Sequence, residues 1–349
     1  MEQSVIINQV LLALDDKLVP GSVRIRGKTI THISIGSEIK PDRDTVISGN
    51  HGILAPGFID LHCHGGRGGD LNDGTPKSFF KMEEFHRRNG VTSFMPTLSV
   101  DPMEKLDKAC AMVRSLSEQD LEGRPEILGI HFESPYINPL YRGCQAEDRI
   151  LGFDKNAMDF IEKNADIISR ITLAPELPGV LEGIPKIREK NILVSGGHSA
   201  APAELFRAAA DRGMTMATHL YNAMSQVHKE GPFRIPGVLE AALTDDRIYT
   251  ECIADGYHLP PELLQIAYRC KGPDKFMICS DASRAAGYTG KDTLFICGQE
   301  AIVENGVAMT KDRTSLASSA ASLGTMVRFL VNKGNRQLKH FLREGKFAW

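Results

Sequence analysis

From Ile53 to about residue 283, short apolar runs alternate with stretches of helical period, and this alternation limits the fold of the 349-residue chain more than any single motif. The runs occupy residues 53–64, 91–100, 127–135, 171–176, 192–199, 214–222, 248–258 and 276–283. Between them, apolar residues recur at helical spacing: Phe79, Phe80, Met82 and Phe85 before Gly90; Leu106, Ala109, Met112, Val113 and Leu116 after Pro102; Leu205, Phe206 and Ala209 before Gly213; Leu263, Leu264, Ile266 and Ala267 before Gly272. Glycine just past such a stretch suits the left-handed position that ends a helix. Eight strand-then-helix units over roughly 240 residues match the count and size of a closed (β/α)8 barrel. The rival is an open, doubly wound sheet. It would carry its ligand loop after the first strand, but here that strand runs into His62-Cys63-His64-Gly65-Gly66 and no dinucleotide or Walker glycine pattern appears.

The first fifty residues have a different texture. Val5-Ile6-Ile7, Val10 to Leu14, Ser22 to Arg26 and Thr29 to Ile33 are short alternating segments separated by polar turns, which predicts a small antiparallel sheet or sandwich. A piece of this length buries little core alone. The expected organisation is therefore residues 1–52 as a small β-sandwich domain, 53–334 as the barrel, and 335–349 as an atypical tail.

Composition narrows the function classes. The chain is 42% hydrophobic and 24% charged, with a formal net charge of −3. Acidic and basic residues are intermixed, so nothing marks a nucleic-acid or membrane partner. The start lacks the basic and apolar regions of a secretory signal, and no apolar run reaches the roughly 18 residues that span a bilayer. The seven cysteines are scattered and read as reduced thiols of a cytoplasmic protein.

In a (β/α)8 barrel the chemistry sits at the C-terminal ends of the strands. Six of the eight runs put a candidate His, Asp or Glu at that rim: His62 and His64; His131 and Glu133; His198; His219; Asp255 and His258; Asp281. Residues two apart on a strand share a face, so His62 and His64 project together while Cys63 turns away. His62, His64, Glu133, His198 and His219 form a nitrogen-rich set with one carboxylate, which suits zinc first, with iron or manganese as alternatives. A metal held this way polarises a carbonyl and lowers the pKa of a water ligand from about 15.7 to about 7. Asp281 is the candidate proton shuttle, although an aspartate after a strand also serves as a helix cap. Arg234, on a glycine- and proline-rich loop, is placed to grip an anion or else is solvated. His258 either orients a substrate oxygen or caps a helix. His131 stands behind the ligands, and His32, His51, His86, His228 and His340 read as surface residues.

These segments resemble the N-acetylglucosamine-6-phosphate deacetylases of the amidohydrolase superfamily. The resemblance rests on Leu54 to Gly66, Tyr136-Ile137-Asn138-Pro139 with Arg142-Gly143, Leu173-Ala174-Pro175-Glu176, Gly197-His198-Ser199, Thr218 to Met224, Ile253 to His258 and Ser280-Asp281-Ala282. It implies a barrel with a small β-sandwich, and hydrolysis of the N-acetyl group of N-acetylglucosamine 6-phosphate or a close amino-sugar phosphate. It implies Glu133, His198 and His219 as core metal ligands, His62 and His64 at a second metal position, one or two ions, and Asp281 as the catalytic aspartate. It also implies a homodimer, with Asn222, the Ala223 backbone, Arg234 and His258 holding the sugar phosphate. Gln145 stands where the family places a substrate-touching histidine, Ser134 where it has glycine, and Ser318 where Ala-Gly-Ser is usual. Rival readings are another amidohydrolase, such as a D-aminoacylase or cyclic-amide hydrolase, and a catalytically dead relative with a truncated C-terminus.

Overall fold

The computed structural model describes residues 4–14, 17–119, 123–133, 135–290 and 293–333. Ser134 and the tail 335–349, singled out above, lie outside the described residues. The chain divides into two compact units, with the boundary between Gly57 and Phe58.

The N-terminal unit is a mixed five-stranded sheet. Its central strand Ser4–Ala13 pairs antiparallel with Leu18–Arg26 and parallel with both Thr45–Ser48 and Ile53–Leu54, while Thr29–Ile35 adds to the other side of Leu18–Arg26. Val10, Leu12 and Val23 form its small core. The alternating pattern thus becomes one layer among the described residues, and Ile30, Ile33, Ile35, Val46 and Ile47 remain exposed.

The larger unit is the barrel. In chain order its strands are Phe58–Cys63, Val91–Leu98, Ile130–Phe132, Ile168–Leu173, Leu193–Gly196, Met214–Ala217, Tyr249–Ile253 and Phe276–Cys279, hereafter strands one to eight. Each pairs parallel with the next. Strand eight returns to strand one through a parallel bridge between Cys63 and Ala282 and through Asp281 N–H donating to His62 O (2.8 Å). The expected first run 53–64 breaks in two: Ile53–Leu54 belongs to the small sheet and the barrel begins at Phe58. Pro56 lacks an N–H to continue a ladder, and this is where the break falls.

The helices form where the apolar spacing places them, with Pro76–Arg88, Met103–Ser117, Ala203–Asp211 and Pro261–Lys271 matching the expected stretches. Pro76–Arg88 shows why. Thr75 Oγ1 accepts from Ser78 N–H (3.3 Å), Pro76 occupies the first turn, and Gly90 takes the left-handed φ of +86° past its end. Its inner face buries Phe79, Met82, Phe85 and His86.

His86 corrects the surface reading. It is fully buried, and its Nε2–H donates to Gly65 O (3.2 Å) behind strand one. Burial pushes its pKa down to about 4. A helix of this period puts residues 79, 82, 83 and 86 on one side, so His86 lies on the apolar stripe.

One element went unforeseen. After strand eight a three-stranded antiparallel sheet, Leu294–Ile296, Gln299–Glu304 and Val307–Thr310, packs its own cluster around Cys144, Ala285, Ile296 and Cys297. Its second turn is Asn305-Gly306 with φ of 52° and 78°, a dipeptide that signals a two-residue hairpin in any sequence.

Candidate metal centre

The strand ends bring five of the predicted side chains into one buried cluster. Glu133 follows strand three, and its N–H donates to Leu98 O (3.0 Å), which anchors it to strand two. Its Oε1 lies 3.1 Å from His219 Nε2, 3.2 Å from His62 Nε2 and 3.5 Å from His198 Nε2. Its Oε2 lies 3.2 Å from His64 Nε2. Two triads result, His62–His64–Glu133 and Glu133–His198–His219, sharing one carboxylate. Asp281 Oδ1 sits 3.2 Å from His64 Nε2 and 3.5 Å from His62 Nε2.

Three of these residues adopt backbone conformations that non-glycine residues avoid: His198, His219 and Asp281 have φ of 49°, 29° and 45°. Each is pinned. Asn138 N–H donates to His198 O (2.8 Å), and Glu176 braces the adjacent Ser199 Oγ–H and Ala200 N–H (2.7 and 2.6 Å). The His198 ring is oriented through Nδ1–H donating to Tyr141 O (2.8 Å), which leaves Nε2 to face Glu133 and His219. Asp281 is held on both sides of its backbone, by His62 O and by Ser319 N–H donating to Asp281 O (2.8 Å).

The donor set suits a divalent cation. Ligand atoms about 2.0–2.2 Å from one tetrahedral zinc stand about 3.3–3.6 Å apart, and these nitrogens and oxygens, 3.1–3.5 Å apart, come close to that spacing. Glu133 Oε1 and Asp281 Oδ1 are buried acceptors without a hydrogen-bond partner among the described residues, which an ion between them would satisfy. The field points the same way. Burial disfavours a charged His62, yet Glu133 and Asp281 outweigh it and raise the His62 pKa to about 10. Burial likewise opposes ionisation of Glu133, but the surrounding imidazoles hold that carboxyl well below its usual range. The cluster therefore attracts positive charge.

The cluster opens into a cleft of about 200 Å³ lined by Gly143, Cys144, Gln145, Asn222, Ala223 and His258, among others. Gln145 is buried with its amide spanning the site wall. Nε2–H donates to Glu133 Oε2 (3.3 Å), and Oε1 accepts from Val100 N–H (2.8 Å). His258 Nδ1–H donates to Asp255 Oδ2 (2.8 Å), which also accepts from Ser319 Oγ–H (2.9 Å). Arg234 stands apart, exposed on a hairpin of His228–Glu230 and Phe233–Ile235. His131 is buried between Thr97 and Thr172, with burial and the nearby Arg170 holding it neutral. Cys63 faces away toward Met95 O.

Four contributors were missed. Cys144 and Cys297 line the cleft, because the unforeseen three-stranded sheet folds over the barrel mouth. Arg170 and Glu251 lie deeper in the barrel, in the middle of strands four and seven. The signal for these two was present, since a charged residue inside an otherwise apolar run must find a partner.

Residues 53–321 match the model of the amidohydrolase family. The N-acetylglucosamine-6-phosphate deacetylase of Bacillus subtilis is 31% identical over 346 residues, 98% of this chain and 84% of its own. The chain belongs to the amidohydrolase family, in its N-acetylglucosamine-6-phosphate deacetylase branch. The N-acetylgalactosamine-6-phosphate deacetylase of Escherichia coli O157:H7 is 32% identical over 297 residues, 84% of this chain and 76% of its own. Among solved structures, the N-acetylglucosamine-6-phosphate deacetylase of Pasteurella multocida superposes with a TM-score of 0.88 at 30% identity, over 98% of this chain and 87% of its own. Membership gives Ser318 its context: with φ of 53°, it holds a left-handed position at the point where the resemblance leads one to expect glycine. Among the described residues no helix is long and apolar enough to cross a membrane.

Proposed function

We propose that this protein is a metal-dependent hydrolase that removes the acetyl group from N-acetylglucosamine 6-phosphate, releasing acetate and the amino-sugar phosphate. The observation that carries this is the Glu133 carboxylate shared by two histidine pairs, with Asp281 Oδ1 3.2 Å from His64 Nε2 beside an open cleft. His62, His64, Glu133, His198 and His219 would hold one or two zinc ions, which supply Lewis acidity toward the amide carbonyl and the attacking water. Burial opposes an ionised Asp281, but His62 and His64 beside it keep its carboxyl below the ordinary range, so it is a base at neutral pH. Asp281 takes the proton from the water and returns it to the sugar nitrogen as the C–N bond breaks. His258, oriented by Asp255, and Asn222 and Ala223 line the cleft where the sugar would lie, with Gln145 on the wall behind Glu133.

Arg234 serves the phosphate from a second copy of the chain. Phe233 beside it and Leu140 near the cleft are exposed by 70% and 87%, which supports a homodimer that covers both. The free thiols suit a cytoplasmic setting.

The galactosamine epimer is the second reading, since a relative acting on it is as similar as the glucosamine one. The test is acetate release by zinc-loaded protein from both epimers, each with and without the 6-phosphate. Turnover of phosphorylated glucosamine substrate is expected to dominate. Preference for the unphosphorylated sugars, or no turnover of any, overturns the proposal.

A further inference from the structure

Beneath the metal centre the barrel holds a charged pair with no part in the chemistry above. Arg170 and Glu251 are both buried, and Arg170 is among the largest fully buried side chains. Arg170 Nε–H donates to Ser195 Oγ (2.8 Å). Nη1 donates to Leu61 O (3.3 Å) and Glu251 Oε2 (2.7 Å). Nη2 donates to Thr218 Oγ1 (3.2 Å) and Glu251 Oε1 (2.7 Å). All five guanidinium N–H groups are thereby used.

Glu251 reaches further, toward the metal centre. Its Oε1 also accepts from His62 Nδ1–H (2.9 Å) and from the His219 backbone N–H (3.3 Å). Its own carbonyl accepts from Leu220 N–H (2.7 Å). One residue on strand seven therefore holds a ligand candidate from strand one and the turn that carries another after strand six.

Stability alone is a poor reason for such a pair. A buried ion pair is often matched or exceeded by apolar residues of the same volume. What apolar residues cannot supply is an acceptor for His62 Nδ1–H. In the neutral ring that a metal requires, committing this proton to Nδ1 leaves the lone pair on Nε2, which faces Glu133, His64 and Asp281. A partner of this kind on the far nitrogen fixes the tautomer and ring orientation of a metal-binding histidine. The His219 turn needs holding too, since its φ is 29°. His62, Glu251 and Cys279 also make a compact group of potential ligands, but both Glu251 oxygens are engaged by Arg170, so the carboxylate supports the centre above it.

We infer that Glu251, clamped by Arg170, is a positioning residue that sets the tautomer and aim of His62 and anchors the turn bearing His219. The inference rests on the proposed reading of the cluster as a metal centre. It is tested with Arg170→Met combined with Glu251→Leu, which leaves neither charge buried alone. Glu251→Gln keeps an acceptor for His62, and Ser195→Ala takes one partner from Arg170 without touching Glu251. Each protein is loaded with zinc, and zinc per chain and the rate of its release to a chelator are measured, with circular dichroism to establish folding. The folded double variant is expected to bind zinc about 10–100-fold more weakly, Glu251→Gln less so, and Ser195→Ala to match wild type even if its melting temperature falls. If the double variant does not fold, Arg170→Leu combined with Glu251→Met, which removes the same two charges with a different packing, carries the test. Zinc content and release indistinguishable from wild type in the folded Glu251 variants overturn the inference and leave the metal centre standing. Wild-type protein that takes up no zinc overturns both.

Discussion

Replacing Asp281 with asparagine separates chemistry from architecture. The two side chains have nearly the same volume, and the backbone of residue 281 is held by His62 O and Ser319 N–H at 2.8 Å each, contacts that the substitution leaves alone. The side chain gives up its charge-assisted approach to His64 Nε2 (3.2 Å) and His62 Nε2 (3.5 Å). Losing one such contact costs about 1.5–3 kcal/mol, and relief from burying a carboxylate offsets part of it. The expected fall in stability is about 1 kcal/mol, or roughly 2–4 °C in Tm for a unit of this size. The kinetic effect is far larger, because a positioned proton shuttle contributes about 10²–10⁴ in rate. That range corresponds to about 2.7–5.4 kcal/mol in the barrier. Initial rates of acetate release from N-acetylglucosamine 6-phosphate, with zinc content measured on the same sample, give the comparison. Asp281→Asn is expected to lose kcat by that factor while KM moves by less than about threefold, since a group that moves a proton in the transition state adds little to ground-state binding. A kcat within tenfold of wild type at equal zinc content refutes the assignment.

Two other perturbations test the framework. Ser318 sits at φ of 53°, where an L-residue pays roughly 1–2 kcal/mol, so Ser318→Gly is expected to stabilise the protein by about 0.5–1 kcal/mol once the extra chain entropy of glycine is counted; a lower urea midpoint argues against strain at this position. Arg247 forks onto Asp245 through Nε and Nη2 (2.9 and 2.6 Å) and holds that carboxyl down to about 2. Because the folded value lies below the unfolded one, the stabilisation is complete above about pH 4 and is lost as pH falls toward 2. Arg247→Ala should lower the urea midpoint slightly at pH 7, as befits an exposed pair, with the gap closing near pH 2; a gap of the same size at both pH values refutes the linkage.

How legible each part was depends on the range of the interaction that sets it. The barrel could be read because period and punctuation are local: Phe79, Met82 and Phe85 lie on one helical stripe, and Gly90 ends it. The candidate cluster could be read because barrel topology turns a position in sequence, the end of a strand, into a position in space. His62, His64, Glu133, His198, His219 and Asp281 meet there from five strands. The misreadings were of another kind. His86 looked like a surface residue because it stands at no strand end, although its helical spacing puts it on the stripe of Phe79 and Met82 that is buried in the fold. Ile53 looked like the start of the barrel because an apolar residue cannot say which sheet will claim it.

The sequence by itself determined the alternation that closes into a barrel, the rim where polar residues collect, and the donor types that favour a divalent cation. Only the tertiary structure decided how closely each histidine approaches Glu133, that Gln145 braces it, and that Arg170 and Glu251 hold His62 from below. Those outcomes depend on side chains from strands far apart in sequence competing for the same few ångströms. A hydrogen bond across the barrel is set by where each strand's register places its side chains, and no local pattern encodes that.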